Sequence, residues 1–119
     1  MATEREDRDV VLALLGIARR AGAIAIGAQA ISSAAKSGKL RLVVLAEDAS
    51  VNAAKRLGRA ADETTVVAGP SRDEIGRALG RPPIAAVGVT DAGLATRLAG
   101  VASTPGSQGG PKKAAARRG

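Results

Sequence analysis

The 119-residue chain contains no cysteine, no histidine, and no phenylalanine, tyrosine or tryptophan. Without cysteine there is no disulfide, no thiolate metal ligand and no thiol nucleophile; without histidine the commonest general base and metal ligand is gone. Zinc chemistry, cysteine-protease chemistry and Ser-His-Asp catalysis are thereby excluded. The missing aromatics remove the platforms on which RNA-recognition sheets and oligonucleotide-binding barrels stack bases. Any nucleic-acid contact must therefore use backbone, charge and small side chains. Long apolar runs are lacking too: none approaches the ~20 residues that span a membrane. The start, MATEREDRDV, is polar rather than signal-like. A cytoplasmic location is expected.

What remains is a chain that is 45% apolar, built on Ala, Val, Leu and Ile, of a length that suits one domain with a modest aliphatic core. Its formal charge is +7, which favours a polyanionic partner without bearing on the fold. The distribution is more informative than the total. Residues 1–9 carry net −2, residues 10–111 net +5, and residues 112–119 net +4. No acid occurs between Asp9 and Glu47, whereas Arg19, Arg20, Lys36, Lys39 and Arg41 all do. A solvated basic face would look the same locally, but sign segregation over so long a span points to phosphate binding.

Asp7 or Asp9 can cap a first helix in which Val10, Leu14, Ile17 and Ala18 recur at helical spacing. Arg19 and Arg20 fall in its last turn, where the dipole favours cations, and Gly22 suits the residue after its C-cap. Residues 23–26 read as a short strand, 28–37 as a second helix opened by Gly27 and stopped by Gly38, and 40–46 as a strand buried on both faces. Asp48 or Ser50 caps a third helix ending near Arg59, and residues 64–68 form the next strand. Ser71-Arg72-Asp73-Glu74 is a capping box opening a helix that Gly80 closes. Pro82 and Pro83 stiffen the connector to a strand at 84–89, and Asp91 caps a last helix to about Ala99. The reading divides the chain into a polar segment 1–9, a single domain 10–99, and a disordered basic tail 100–119. Alternating helices and strands predict a three-layer α/β/α sandwich around about four strands.

The motifs that carry enzyme chemistry fail on inspection. Gly38-Lys39 lacks both the preceding glycine and the following Ser or Thr of a P-loop, and no dinucleotide fingerprint follows a strand. Glu47 and Asp48 sit where α/β sheets place ligands, yet no His, Lys-Ser pair or third carboxylate accompanies them, so helix capping is the expected role. No metal, cofactor or catalytic residue is expected. Gly27, Ala28 and Gln29 differ: exposed amides at a helix start attract phosphate, and Gln29 offers an acceptor and two donors to a base edge.

The run LLGIARRAGAIAIGAQAISSAAKSGKLRLVVLAED, from Leu14 to Asp48, with Ala49-Ser50 and Asn52 after it, resembles the bacterial YlxQ-type members of the L-seven-Ae/L-thirty-e superfamily of ribosomal and kink-turn RNA-binding proteins. The likeness continues through Arg72-Asp73-Glu74-Ile75-Gly76 and Gly80 to Val87-Gly88-Val89-Thr90-Asp91. It implies an α/β/α sandwich with a small mixed sheet and a non-enzymatic protein that binds structured, kink-turn-like RNA, ribosomal or ribosome-associated. Gly27 and Gln29 match the family's RNA-reading motif, and Ile84, Ala85 and Ala86, behind Arg81, match its apolar loop. At the positions of the family's glutamate and phosphate-contacting lysine stand Ala30 and Ser33, and the stretch 57–67 is several residues short.

Joined to the charge pattern, the expected RNA contacts are Gly27, Ala28, Gln29, Lys36, Lys39, Arg41, Arg81, Ile84, Ala85 and Ala86. Arg19, Arg20, Lys112, Lys113, Arg117 and Arg118 are expected to meet phosphate, in a monomer with no membrane partner. Two rivals stand beside this reading. One is a protein-interaction module of the same fold that has lost specific RNA recognition; the other, an RNA methyltransferase, has no room in this chain for a catalytic domain.

Overall fold

The computed structural model describes residues 2–101. Helix α1 spans Ala2–Arg20, and Val11, Leu14, Leu15 and Ala18 form its buried stripe. It therefore begins well before Asp7 or Asp9, and residues 2–9 of the polar segment are its first turns. Within these turns the Arg8 guanidinium is held by Glu47 and Glu74 from distant parts of the chain, a tertiary contact without a local signature. At the other end, Gly22 (φ 71°) closes α1 in a Schellman turn, with Gly22 N–H donating to the Arg19 carbonyl at 3.0 Å and Ala23 N–H to that of Ala18 at 2.8 Å.

Strand β1 (Ile24–Ile26), helix α2 (Ala28–Lys36) and strand β2 (Leu42–Ala46) follow. Gly38 ends α2 with the same pair of bonds, Gly38 N–H to Ala35 and Lys39 N–H to Ala34. The expected third helix is in fact two, α3 (Val51–Arg56) and α4 (Arg59–Glu63), because Gly58 between them adopts φ 54°, ψ −129°. Ser50 caps α3, its hydroxyl accepting from Ala53 N–H; Asp48 does not. Strand β3 (Thr65–Gly69) leads to α5 (Arg72–Ala78), which opens on the expected reciprocal capping box of Ser71 and Glu74. Strand β4 is limited to Ala86–Val89, and α6 runs over Ala92–Val101. Gly100 and Val101 are thus helical, and the basic tail from residue 102, with Lys112, Lys113, Arg117 and Arg118, lies outside the described residues.

The four strands form one mixed sheet in the order β1-β4-β2-β3. β2 and β3 pair in parallel, Leu42 opposite Thr65, while β4 runs antiparallel to both of its neighbours, with Val89 opposite Ile24 and Leu42. Successive side chains of β2 point to opposite faces. Leu42, Val44 and Ala46 enter a core with residues of α1, α5 and α6, and Val43 enters a smaller one with Ile31, Leu57 and Ala60. That split gives three layers, and it explains why LVVLA carries no polar alternation. Among the described residues no helix is long and apolar enough to cross a membrane, and no group of acids could hold a metal ion.

Candidate nucleic-acid interface

The register sorts the expected site residues by the end of the sheet they occupy. β1 leads directly into Gly27, whose N–H donates to the Ala86 carbonyl at 3.1 Å; Ala46 N–H donates to Ala85 at 2.8 Å. The start of α2, the loop before β4 and the carboxyl end of β2 therefore meet in one place. Gly27 has φ 91° and ψ 162°, a combination open to glycine almost alone, and a Cβ there would meet nothing within 4 Å. The glycine is required by backbone direction rather than by space.

Gly27 gives α2 no side-chain cap, and its first intrahelical bond is Ile31 N–H to the Gly27 carbonyl at 3.0 Å. Among the described residues, the N–H groups of Ala28, Gln29 and Ala30 are left without a protein acceptor. Three donors aimed outward, at the positive end of the helix dipole and with no acid in the first turn, suit a phosphate or another anion. The Gln29 side chain is exposed beside them. Gln29, Ser33 and Lys36 lie at i, i+4 and i+7, all exposed, and so line one outer stripe of α2.

The loop before β4 differs from its sequence reading. Ile84 is 6% exposed and belongs to the larger core, and Ala86, 5% exposed, belongs to the smaller. Their side chains are packed inward, so the apolar contact expected of them cannot be made from this arrangement. Ala85 is half-buried, and the exposed apolar surface here is Pro82 and Pro83, which the sequence presents only as a stiff connector. The cause is the Ile84 N–H, which donates to the Arg72 carbonyl at 3.1 Å and pulls the loop onto α5 instead of continuing the ladder. Arg81 is exposed just past the far end of α5 from Arg72, a helix roughly 10 Å long.

The acidic pair is fully engaged. Arg8 makes a bidentate contact with Glu47 (Nη1 to Oε2 3.0 Å, Nη2 to Oε1 2.9 Å) and donates from Nη1 to Glu74 Oε1 at 2.8 Å. That same Glu74 oxygen accepts Ser71 N–H at 2.9 Å. The Ser71 amide first, and then Arg8, hold the Glu74 carboxyl below its usual range, while Glu47 and Glu74 hold the guanidinium more firmly protonated. Asp48 accepts Arg72 N–H at 2.9 Å and so caps α5 rather than α3. These carboxylates brace the start of α5 against α1 and β2. Arg8, which links them, carried no sequence signal, since its partners lie 39 and 66 residues away.

Lys36, Lys39, Arg41, Arg19 and Arg20 fall at the other end of the sheet. Arg41 N–H donates to Val89 at 2.8 Å and Thr90 N–H to Ala23 at 2.9 Å, so the turns after α1 and α2 and the exit of β4 converge there. The expected contacts are therefore divided, with Gly27, Ala28 and Gln29 at one end and the five cations at the other.

A three-layer sandwich on a mixed sheet, with a glycine-opened helix beside the loop before β4, places the chain in a class of small α/β/α proteins. The sequence model of the ribosomal protein L7Ae/L30e/S12e/Gadd45 family matches residues 9–99. The chain belongs to this family, as a YlxQ-type member. It is 34% identical over 90 residues to the RNA-binding protein YlxQ of Bacillus subtilis (strain 168), covering 71% of this chain and 87% of that protein. A Bacillus halodurans protein of unknown function superposes with TM-score 0.70 at 32% identity, over 76% of this chain and 94% of its own. The 15.5kD RNA binding protein of Giardia lamblia shares the fold, with TM-score 0.68 at 23% identity, over 80% of this chain and 86% of its own.

Proposed function

We propose that this protein binds structured RNA of the kink-turn kind, ribosomal or ribosome-associated, and does so without catalysis, in the cytoplasm. The observation that carries the proposal is the uncapped, glycine-opened start of α2, held beside the loop before β4 by the bond from Gly27 N–H to Ala86. The amides of Ala28 and Gln29 would bind backbone phosphate, and the Gln29 carboxamide would hydrogen-bond an unpaired base edge. Pro82, Pro83 and Ala85 would lie against splayed nucleotides. That the Bacillus subtilis relative is an RNA-binding protein supports the same reading.

One observation favours a second reading. Ala30 and Ser33, both exposed, leave the α2 face without the acid and the lysine that the family resemblance leads one to expect there. A protein-interaction module of the same fold would tolerate that loss. Filter binding of kink-turn RNA, duplex RNA and DNA over a salt series separates the two. Preference for the kink-turn RNA at physiological salt supports RNA recognition. Absence of binding, with protein partners that persist after ribonuclease treatment, supports the module.

A further inference from the structure

Charge and recognition are segregated in this molecule. At the end of the sheet that carries Gly27, the acids Glu47, Asp48 and Glu74 hold the cations Arg8 and Arg72 in ion pairs, and Asp73 adds another negative charge. These pairs leave neither Arg8 nor Arg72 free to meet a polyanion. The opposite end is closed by the row of Ile24, Val89, Leu42 and Thr65, and there Arg19, Arg20, Lys36, Lys39 and Arg41 are all exposed. Among the described residues none of the five forms an ion pair or a side-chain hydrogen bond. The acids at this end are Asp62 and Glu63, on the last turn of α4, and Asp91, whose Oδ2 accepts Leu94 N–H.

Helix dipoles account for Arg19, Arg20 and Lys36, which sit in last turns. They do not account for Lys39 and Arg41, which lie outside any helix, on the turn and the lead-in to β2. Continuity with the recognition site identifies the occupant. The exposed stripe Gln29, Ser33, Lys36 runs along α2 from the open amides to this cluster, a distance of roughly 10 Å at 1.5 Å per residue. A strand seated on Gln29 and following the stripe arrives at Lys36, then Lys39 and Arg41.

We propose that this end is a second dock, which grips the phosphate backbone of an RNA duplex arm without regard to sequence while the start of α2 reads the unpaired nucleotides of the same RNA. The dock rests on the RNA-binding reading above but makes a separable claim: affinity and salt dependence arise at one end, selectivity at the other. The full-length chain tests it. Binding constants for kink-turn RNA and for plain duplex RNA are measured over a salt series for wild type, Lys36→Gln/Lys39→Gln/Arg41→Gln, Arg19→Gln/Arg20→Gln, Gln29→Ala, and a variant with the four basic tail residues changed to Gln. The triple variant is expected to lower the slope of log K against log salt by about 2 to 3 units on both RNAs, close to one unit for each phosphate no longer neutralised, and to keep its preference for the kink-turn RNA. Gln29→Ala is expected to do the reverse. Unchanged slopes in the triple and double variants, with Gln29→Ala still erasing the preference, overturn the dock and leave RNA recognition standing. A reduced slope confined to the tail variant likewise overturns it. Failure of wild type to bind either RNA at physiological salt removes the RNA reading itself.

Discussion

Gly27 shows how one residue sets the geometry of the interface. Its backbone at φ 91°, ψ 162° turns the chain out of β1 so that the first amides of α2 face outward beside Ala86. No neighbour stands within 4 Å of where a Cβ would go, so the cost of a side chain is backbone strain alone. Gly27→Ala should lower unfolding free energy by about 1–3 kcal/mol. Urea denaturation, with an unchanged denaturant dependence, measures this; full stability in the variant would show that the turn is not strained. Glu74 governs a different property. Its folded pKa lies below the unfolded value, so the stability it contributes is complete above the ordinary glutamate range and is lost as pH falls through the folded pKa. Arg8 stays charged throughout and adds no pH dependence of its own. Glu74→Gln should therefore be less stable than wild type at pH 7, with the difference in melting temperature narrowing by about pH 3. A constant difference at both pH values would contradict this role.

Elements here are fixed by a few small residues and short bonds. The loop that carries Pro82, Pro83 and Ala85 is laid against α5 because Gly76 has no side chain; a methyl there would run into the Pro82 carbonyl. Gly76→Ala should cost about 1–3 kcal/mol by overpacking and displace the loop from Arg72, which amide exchange at Ile84 would report as faster exchange. Unaltered exchange and stability would mean that the loop is held elsewhere. Helix ends are legible in the sequence wherever chemistry is local. The Ser71–Glu74 box and the glycine stops at 22, 38 and 80 act within a few residues of themselves. The break at Gly58 is less so, because its neighbours are helix formers and the chain turns between two residues buried by tertiary packing, Leu57 and Ala60. The strand predicted at 84–89 is shorter in the fold for a related reason. Ile84 looks like a strand residue, but its amide goes to α5.

For the whole molecule, alternation of apolar runs specifies three layers, while the strand order and the mixed directions depend on pairings between distant segments. The same holds for the candidate site. Gly27, Ala28 and Gln29 are a local motif and can be read directly, whereas the inward packing of Ile84 and Ala86 and the separation of Lys36, Lys39 and Arg41 from Gly27 follow from the register. A basic span that is continuous in sequence thus becomes one end of a folded domain, and α2 bridges that end to the open amides.

The central claim, recognition of structured RNA through the start of α2, is tested most directly by the selectivity of Gln29→Ala against wild type. Filter binding at physiological salt would compare kink-turn RNA, duplex RNA and DNA of equal length. Wild type should prefer the kink-turn RNA, and Gln29→Ala should lose about 1–3 kcal/mol on that RNA while its binding to duplex and DNA stays the same. Equal binding of wild type to all three, unaltered in Gln29→Ala, would contradict the account.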